Sequence, residues 1–319
     1  MFPMPDIETH ERPSTVPPFS LALFKPKYWA TWLSMPLLYV LSWMPARLID
    51  ILAAFLCDTV LRRNRKRFHI AKTNLSLCFP GKSEAELDQM VDAHNRAQAR
   101  AILHYPKLWW QPQSLLDRSI DLIGYEQIEA VRAGGENAII LLCHSASLDV
   151  AIAALSMRTS GAGAYKPVRN EVLDWLVATR RMRFGAKVYA RDDGLRPLIK
   201  SVRNGGLLVY PADEDLGVIS KCVFAPFYGV QKATVPVLGR MAKLTNAKVF
   251  TCISYYDFER SRYVVRVLPY IEAMRGDDDA ADAQAMNASI EQAVDYSPEQ
   301  YLWTLRLFQT RPENEPSVY

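Results

Sequence analysis

The chain has 319 residues, half of them hydrophobic and 23% charged, with a net charge of +4 at neutral pH. That length suits one large domain, alone or with a membrane-associated extension, and the composition excludes both a disordered chain and a multi-span membrane protein. The charge is uneven, with seven basic and no acidic residues from Arg62 to Lys82, and ten basic against four acidic from Lys166 to Arg203. Two faces therefore suit anionic company. The cysteines (Cys57, Cys78, Cys143, Cys222, Cys252) are odd in number, scattered and set among apolar residues, which suits a reducing, cytosolic compartment.

Residues 1–20 hold three acidic residues and five prolines, the pattern of a loose tail rather than of a signal peptide. Residues 28–46 carry no charge, and the apolar character resumes after Arg47 as LIDILAAFL. Such a length sits at the lower edge of what crosses a bilayer, and Pro36 and Pro45 count against one continuous spanning helix. Trp29, Trp32, Tyr39 and Trp43 favour the headgroup level of a membrane, and the basic run LRRNRKRFHIAK follows closely. Together they predict that residues 1–61 form a tail and a membrane-anchoring helical segment, attached at the cytoplasmic face. The alternative is a buried helix hairpin. Residues 84–110 read as an amphipathic helix with acidic residues in its first turns.

Beyond that helix, short apolar runs at 138–143, 187–190, 207–210, 248–254 and 262–268 alternate with longer helical stretches. The alternation predicts an α/β domain over 62–319 with a mostly parallel central sheet flanked by helices.

Polar groups follow three of these runs directly: His144 after AIILLC, Arg191 after KVYA, and PADED (211–215) after LLVY. In open α/β sheets the ligand lies outside the carboxyl ends of the strands, so the three are expected to converge on one crevice. A lone histidine beside an apolar run is more often a core residue, but this convergence argues for a functional one. With His144 in the turn and Asp149 in the first turns of the next helix, the imidazole can fold back onto the carboxylate, which leaves Nε2 free as a general base. Ser145 or Ser147 is expected to cap that helix.

Several ordered segments resemble the late acyltransferases of lipid A biosynthesis: NLSLCFP (74–80), CHSASLD (143–149), YKPVRNEVLDWL (165–176) with RRMR, YPADEDLG (210–217), FAPFYGVQKAT (224–234) and PEQYLWTLRLFQTRP (298–312). The resemblance runs over nearly the whole chain. It implies a fold like the glycerolipid acyltransferases, no metal and no cofactor. The implied reaction moves a fatty acyl chain from acyl carrier protein to a hydroxyacyl chain of a lipid A precursor at the bacterial inner membrane, with no nucleic-acid partner. Carried over by position, His144 is the general base and Asp149 orients it. Arg181 or Arg183, together with Arg191 and Lys166, would bind substrate phosphate or steady the oxyanion, while Asp213 and Asp215 would shape the acceptor pocket or hold those arginines. Asp149 stands where many members have glutamate, Lys166 replaces an arginine, and Lys232 enters a segment that is usually small and apolar. Rival readings are a glycerophospholipid or mannolipid acyltransferase, a non-catalytic carrier-protein adaptor, and a metal-dependent phosphatase built on Asp213, Glu214 and Asp215.

Overall fold

A computed structural model describes residues 19–217 and 222–319. Nearly all of the expected tail, residues 1–18, lies outside the described residues. The charge-free stretch forms α1 (Trp29–Ser42) and runs, through a turn ending at Pro45, into α2 (Ala46–Leu56). Fourteen residues of helix reach about 21 Å, short of the ~30 Å hydrocarbon core. Among the described residues no helix is long and apolar enough to cross a membrane. The expected anchoring segment is therefore two successive short helices, α1 and α2, separated at Pro45, which lacks a backbone donor.

α3 (Arg65–Cys78) carries the basic run and begins at Asn64, whose side chain accepts from the Arg67 N–H. α4 (Glu84–Trp110) matches the amphipathic prediction. It starts at a capping box in which the Ser83 hydroxyl accepts from the Glu86 N–H and the Glu86 carboxylate accepts from the Ser83 N–H at 2.8 Å. Both α1 and α2 lean on α4.

The remaining elements alternate: α5 (Gln113–Arg118), β1 (Ile120–Ile123), α6 (Tyr125–Ala133), β2 (Asn137–Leu142), α7 (Leu148–Ser156), β3 (Gly161–Tyr165), α8 (Glu171–Arg181), β4 (Lys187–Ala190), α9 (Arg196–Arg203) and β5 (Leu207–Tyr210). A hairpin of β6 (Val223–Phe227) and β7 (Val230–Thr234) follows, then α10 (Val237–Thr245), β8 (Ala247–Asp257), β9 (Arg262–Tyr270) and α11 (Asp279–Val294). The main sheet has the order β1-β9-β8-β2-β5-β3-β4, and β8 with β9 is its antiparallel pair. The mostly parallel sheet is as predicted.

β2 explains itself. Ile139 and Leu141 point into one core with Leu75 of α3, Met241 of α10 and Ile290 of α11, while Ile140 and Leu142 point into the other with Leu108 of α4, Leu155 of α7 and Leu176 of α8. A strand covered on both faces has no polar side to show, hence an unbroken apolar run. The five predicted strands are present. β3, of sequence GAGAY, lacks the β-branched signal and is held instead by parallel pairing with β5 and β4. In the β6–β7 hairpin, Tyr228 and Gly229 both take positive φ (48° and 77°), as a tight two-residue turn requires.

Candidate active site

Strand register places the central residues. β2 and β5 are parallel neighbours with Leu141 opposite Tyr210, so three residues further on His144 stands opposite Asp213. β3 and β4 pair with Tyr165 opposite Ala190, which sets Lys166 beside Arg191 at the same end of the sheet. Parallel strands all point their carboxyl ends one way, so these loops share one edge.

The Asp213 carboxylate takes two hydrogen bonds from the same residue. Its Oδ2 accepts the His144 backbone N–H at 2.7 Å, and its Oδ1 lies 2.5 Å from Nδ1. The Tyr301 hydroxyl donates a third bond to Oδ2 at 3.0 Å, and Asp213 is fully buried. On the other side of the ring, Nε2 lies 3.2 Å from Glu214 Oε1, while Glu214 Oε2 accepts from Arg191 at 2.8 Å. Burial works against a charged imidazole, but Asp213 and then Glu214 outweigh it and raise the His144 pKa to about 10. Burial would likewise raise Asp213, yet the imidazolium holds it below the usual carboxylate range. Glu214 is pushed down to about 2, first by its hydrogen bond to His144. Both carboxylates thus favour the protonated ring for as long as they hold their places beside it.

This corrects the expected pairing. Asp149 does sit in the first turn of α7, but its carboxylate belongs to Arg181 of α8, which donates from Nε at 2.7 Å and from a terminal nitrogen at 3.0 Å, and to the Tyr105 hydroxyl of α4. With both oxygens engaged there, the Nδ1 partner is Asp213, brought by a neighbouring strand and therefore distant in sequence. The helix cap also differs. Ser147 is the residue before α7, but its hydroxyl makes no cap bond and instead joins Ser145 and Ser254 in a buried hydroxyl cluster.

A cavity of about 380 Å³ opens beside the imidazole. Asp149, Arg181, Lys166, Arg191 and Glu214 line it together with His144. Much of the remaining wall is small or apolar, with Ile152, Gly161, Gly163, Ala186 and Val209, and Ser156, Tyr165 and Lys187 also reach it. β3 makes the space, because its glycines and alanines offer no bulk. Three predicted residues stand elsewhere. Asp213 lies behind the imidazole. Arg183 spends its guanidinium on the Leu108 and Gln111 carbonyls, and Asp215 accepts from the Gly217 N–H and from the Thr310 N–H and hydroxyl. Among the described residues no group of three or more His, Cys, Asp or Glu is placed to hold a metal ion. The phosphatase reading on residues 213–215 therefore has no ligand set.

Sequence reasoning did not assign Tyr105 or Tyr301, and it offered Glu214 only within PADED and in the phosphatase rival. Tyr301 comes with the segment PEQYLW, which is stitched onto the histidine loop: the His144 carbonyl accepts from the Leu302 N–H at 2.8 Å, and the Ala146 N–H donates to the Gln300 carbonyl at 2.9 Å. Asn74, from NLSLCFP, donates to the Trp303 and Leu305 carbonyls at 2.7 Å and fixes that segment from behind. Several of the recognised segments thus meet as one scaffold around His144.

The sequence profile described as bacterial lipid A biosynthesis acyltransferase matches residues 16–310. The chain is 35% identical over 300 residues to a lipid A biosynthesis acyltransferase of Haemophilus influenzae, covering 93% of each chain. It is 33% identical to the lipid A biosynthesis myristoyltransferase of Escherichia coli (95% and 94% covered) and 31% identical to the lauroyltransferase of the same organism (96% and 100% covered).

Proposed function

The chain belongs to the bacterial lipid A biosynthesis acyltransferases, and from that premise we propose that it moves a fatty acyl chain from acyl carrier protein to a hydroxyl on a hydroxyacyl chain of a lipid A precursor, with His144 as general base. The observation that carries the reading is the imidazole held by Asp213 beside a cavity whose wall is largely small and apolar. In the step itself, Nε2 takes the proton of the acceptor hydroxyl while the hydroxyl oxygen attacks the thioester carbonyl. The carbon–sulfur bond breaks, and the departing thiolate takes the proton back from the imidazolium. Ester and free carrier-protein thiol are the products. Asp213 acts through His144, keeping Nδ1 protonated and Nε2 aimed at the cavity. Lys166 and Arg191, at the cavity wall, are the cations that meet substrate phosphate or the developing oxyanion. Arg181 is committed to Asp149 and shapes the wall between α7 and α8.

We place the protein on the cytoplasmic face of the inner membrane as an interfacial rather than a spanning protein. Trp29, Leu33 and Leu37 on α1 and Ile51 and Phe55 on α2 all expose most of their surface, at 60–79%. Arg63, Arg65, Lys66 and Arg67 follow, exposed, at the start of the next helix. An apolar stripe bordered by cations suits an anionic leaflet. The basic faces also suit an acidic carrier protein.

The test is transfer of a labelled acyl chain from acyl carrier protein to a tetra-acylated lipid A precursor by the wild type, His144→Ala and Asp213→Asn. Both variants are expected to lose about 10²-fold or more in kcat with little change in KM. Wild-type rates from His144→Ala would remove the base. Transfer to a lysophospholipid but not to the lipid A precursor would move the protein to the glycerophospholipid reading.

A further inference from the structure

We infer that Glu214 is a displaceable cap on His144 Nε2, closing the base until an acceptor hydroxyl takes its place and so favouring transfer over hydrolysis of the donor. The inference rests on the acyl-thioester reading above and adds to it the residue that decides between acceptor and water.

The two carboxylates on the imidazole are held very differently. Asp213 is fully buried and receives three hydrogen bonds, two from His144 itself and one from Tyr301. It cannot move without dismantling the loop. Glu214 touches Nε2 at the longer distance of 3.2 Å, its side chain is 24% exposed, and its second oxygen goes to Arg191, a side chain 41% exposed. Glu214 and Arg191 also line a second cavity, of about 240 Å³, walled by Leu195, Leu198, Val235 and Val237. The ion pair is thus a partition between two spaces, and the glutamate can swing with its arginine while keeping a counter-ion.

While Glu214 is in place, Nδ1 faces Asp213 at 2.5 Å and Nε2 faces Glu214 at 3.2 Å, so neither nitrogen presents a lone pair to the cavity. When an acceptor hydroxyl displaces the carboxylate, one of the two charges that hold the ring protonated is withdrawn. The Nε2 proton then passes to solvent, leaving the nitrogen free to accept from the hydroxyl. The alternative event in an uncapped, donor-loaded site is hydrolysis: Nε2 takes a proton from water, the water oxygen attacks the thioester carbonyl, the carbon–sulfur bond breaks, and the thiolate recovers the proton. The products are a free fatty acid and the carrier thiol. The charged and titratable groups around the ring are Asp213 and Glu214 after β5, Arg191 after β4 through Glu214, Tyr301 through Asp213, and Lys232 of β7, charge-coupled to Asp213. Of these, Glu214 alone both contacts Nε2 and lines the cavities.

Two readouts on the full-length protein in detergent test the cap. The first is carbethoxylation of His144 by diethyl pyrocarbonate at neutral pH, followed by mass spectrometry of the His144 peptide. It needs an unprotonated, accessible nitrogen and is independent of any substrate. The second is release of free thiol from acyl carrier protein thioester without acceptor. Glu214→Ala is expected to raise both by about 10-fold or more over the wild type, and Glu214→Gln, which keeps the shape without the charge, to lie between. The double variant His144→Ala/Glu214→Ala should lose the thiol release. Carbethoxylation of Glu214→Ala and Glu214→Gln at the wild-type rate would overturn the cap. Faster carbethoxylation with unchanged hydrolysis, in variants that still transfer, would overturn its role in choosing acceptor over water. If carbethoxylation rises but not even the wild type releases thiol with acceptor present, the donor assignment is what fails, and the hydrolysis claim falls with it.

Discussion

Asp149 and Asp213 divide the work that one aspartate was expected to do. A carboxylate five residues after a histidine is visible in any reading of the chain, whereas one 69 residues away is visible only once two strands are paired. The two should separate by experiment. Asp213→Asn alters the hydrogen bonds that orient the imidazole and is expected to act mainly on kcat. Asp149→Asn leaves the Arg181 guanidinium, only 23% exposed, without its counter-charge. Burial opposes that charge, and Asp149 is the first group that offsets it. Breaking such a pair costs about 3–5 kcal/mol when fully buried, and the lower end applies here because water reaches part of the arginine. Urea denaturation of Asp149→Asn should therefore show a marked loss of stability, while Asp213→Asn should lose activity out of proportion to stability. Equal stability of Asp149→Asn and wild type would contradict this division.

At the level of elements, α4 ties the histidine loop to the rest of the molecule. Its His94 is fully buried, with Nδ1 donating to the Glu299 carbonyl at 3.1 Å and Nε2 accepting from Gln98 at 2.7 Å, an arrangement that needs a neutral ring. Burial depresses its pKa to about 4 and pushes that of His104 well below normal. The unfolded chain takes up these protons near pH 6.5, before the folded chain does, so stability falls as pH drops from about 6.5 toward 4, by about 1.4 kcal/mol per pH unit for each histidine. Thermal melts at pH 7 and pH 5 should show the fall, and His94→Gln should reduce it. A pH-independent melting temperature over this range would refute the assignment. The segment that His94 grips is the one stitched to His144, so acid should loosen the site along with the fold. β3 offers a second test at this scale. Its glycines line the cavity, and so does Ala186 just before β4. Ala186→Leu is expected to shift acyl-chain preference toward shorter donors, read from competition between carrier proteins loaded with different chains; an unchanged preference would place the chain elsewhere.

For the whole molecule, the successive helices α1 and α2 join two expectations that the sequence left apart. They pack on α4, with Ala53 of α2 clustered with Ala99 and Leu103, yet they present an outer apolar stripe to solvent. A buried hairpin would not need that stripe, and a spanning helix would need more length. Leu33→Lys together with Ile51→Lys should reduce co-sedimentation with vesicles containing anionic lipid while leaving the core intact, since both side chains are exposed. Raising salt should weaken binding of the wild type only partly, because it screens the basic run and not the apolar contact. Binding unaffected by both substitutions would exclude this face as the contact.

By itself the sequence determined the elements whose signal is local: the unbroken apolar runs of the buried strands, the capped amphipathic α4, the histidine at a strand end and the ordered segments that mark the family. Tertiary structure decided what depends on neighbours. Register set Asp213 opposite His144, pairing held the glycine-rich β3, and packing brought Arg181 and Tyr105 to Asp149 and Glu214 to Nε2. A carboxylate's role follows from which cation reaches it first in space, and separation along the chain carries no record of that.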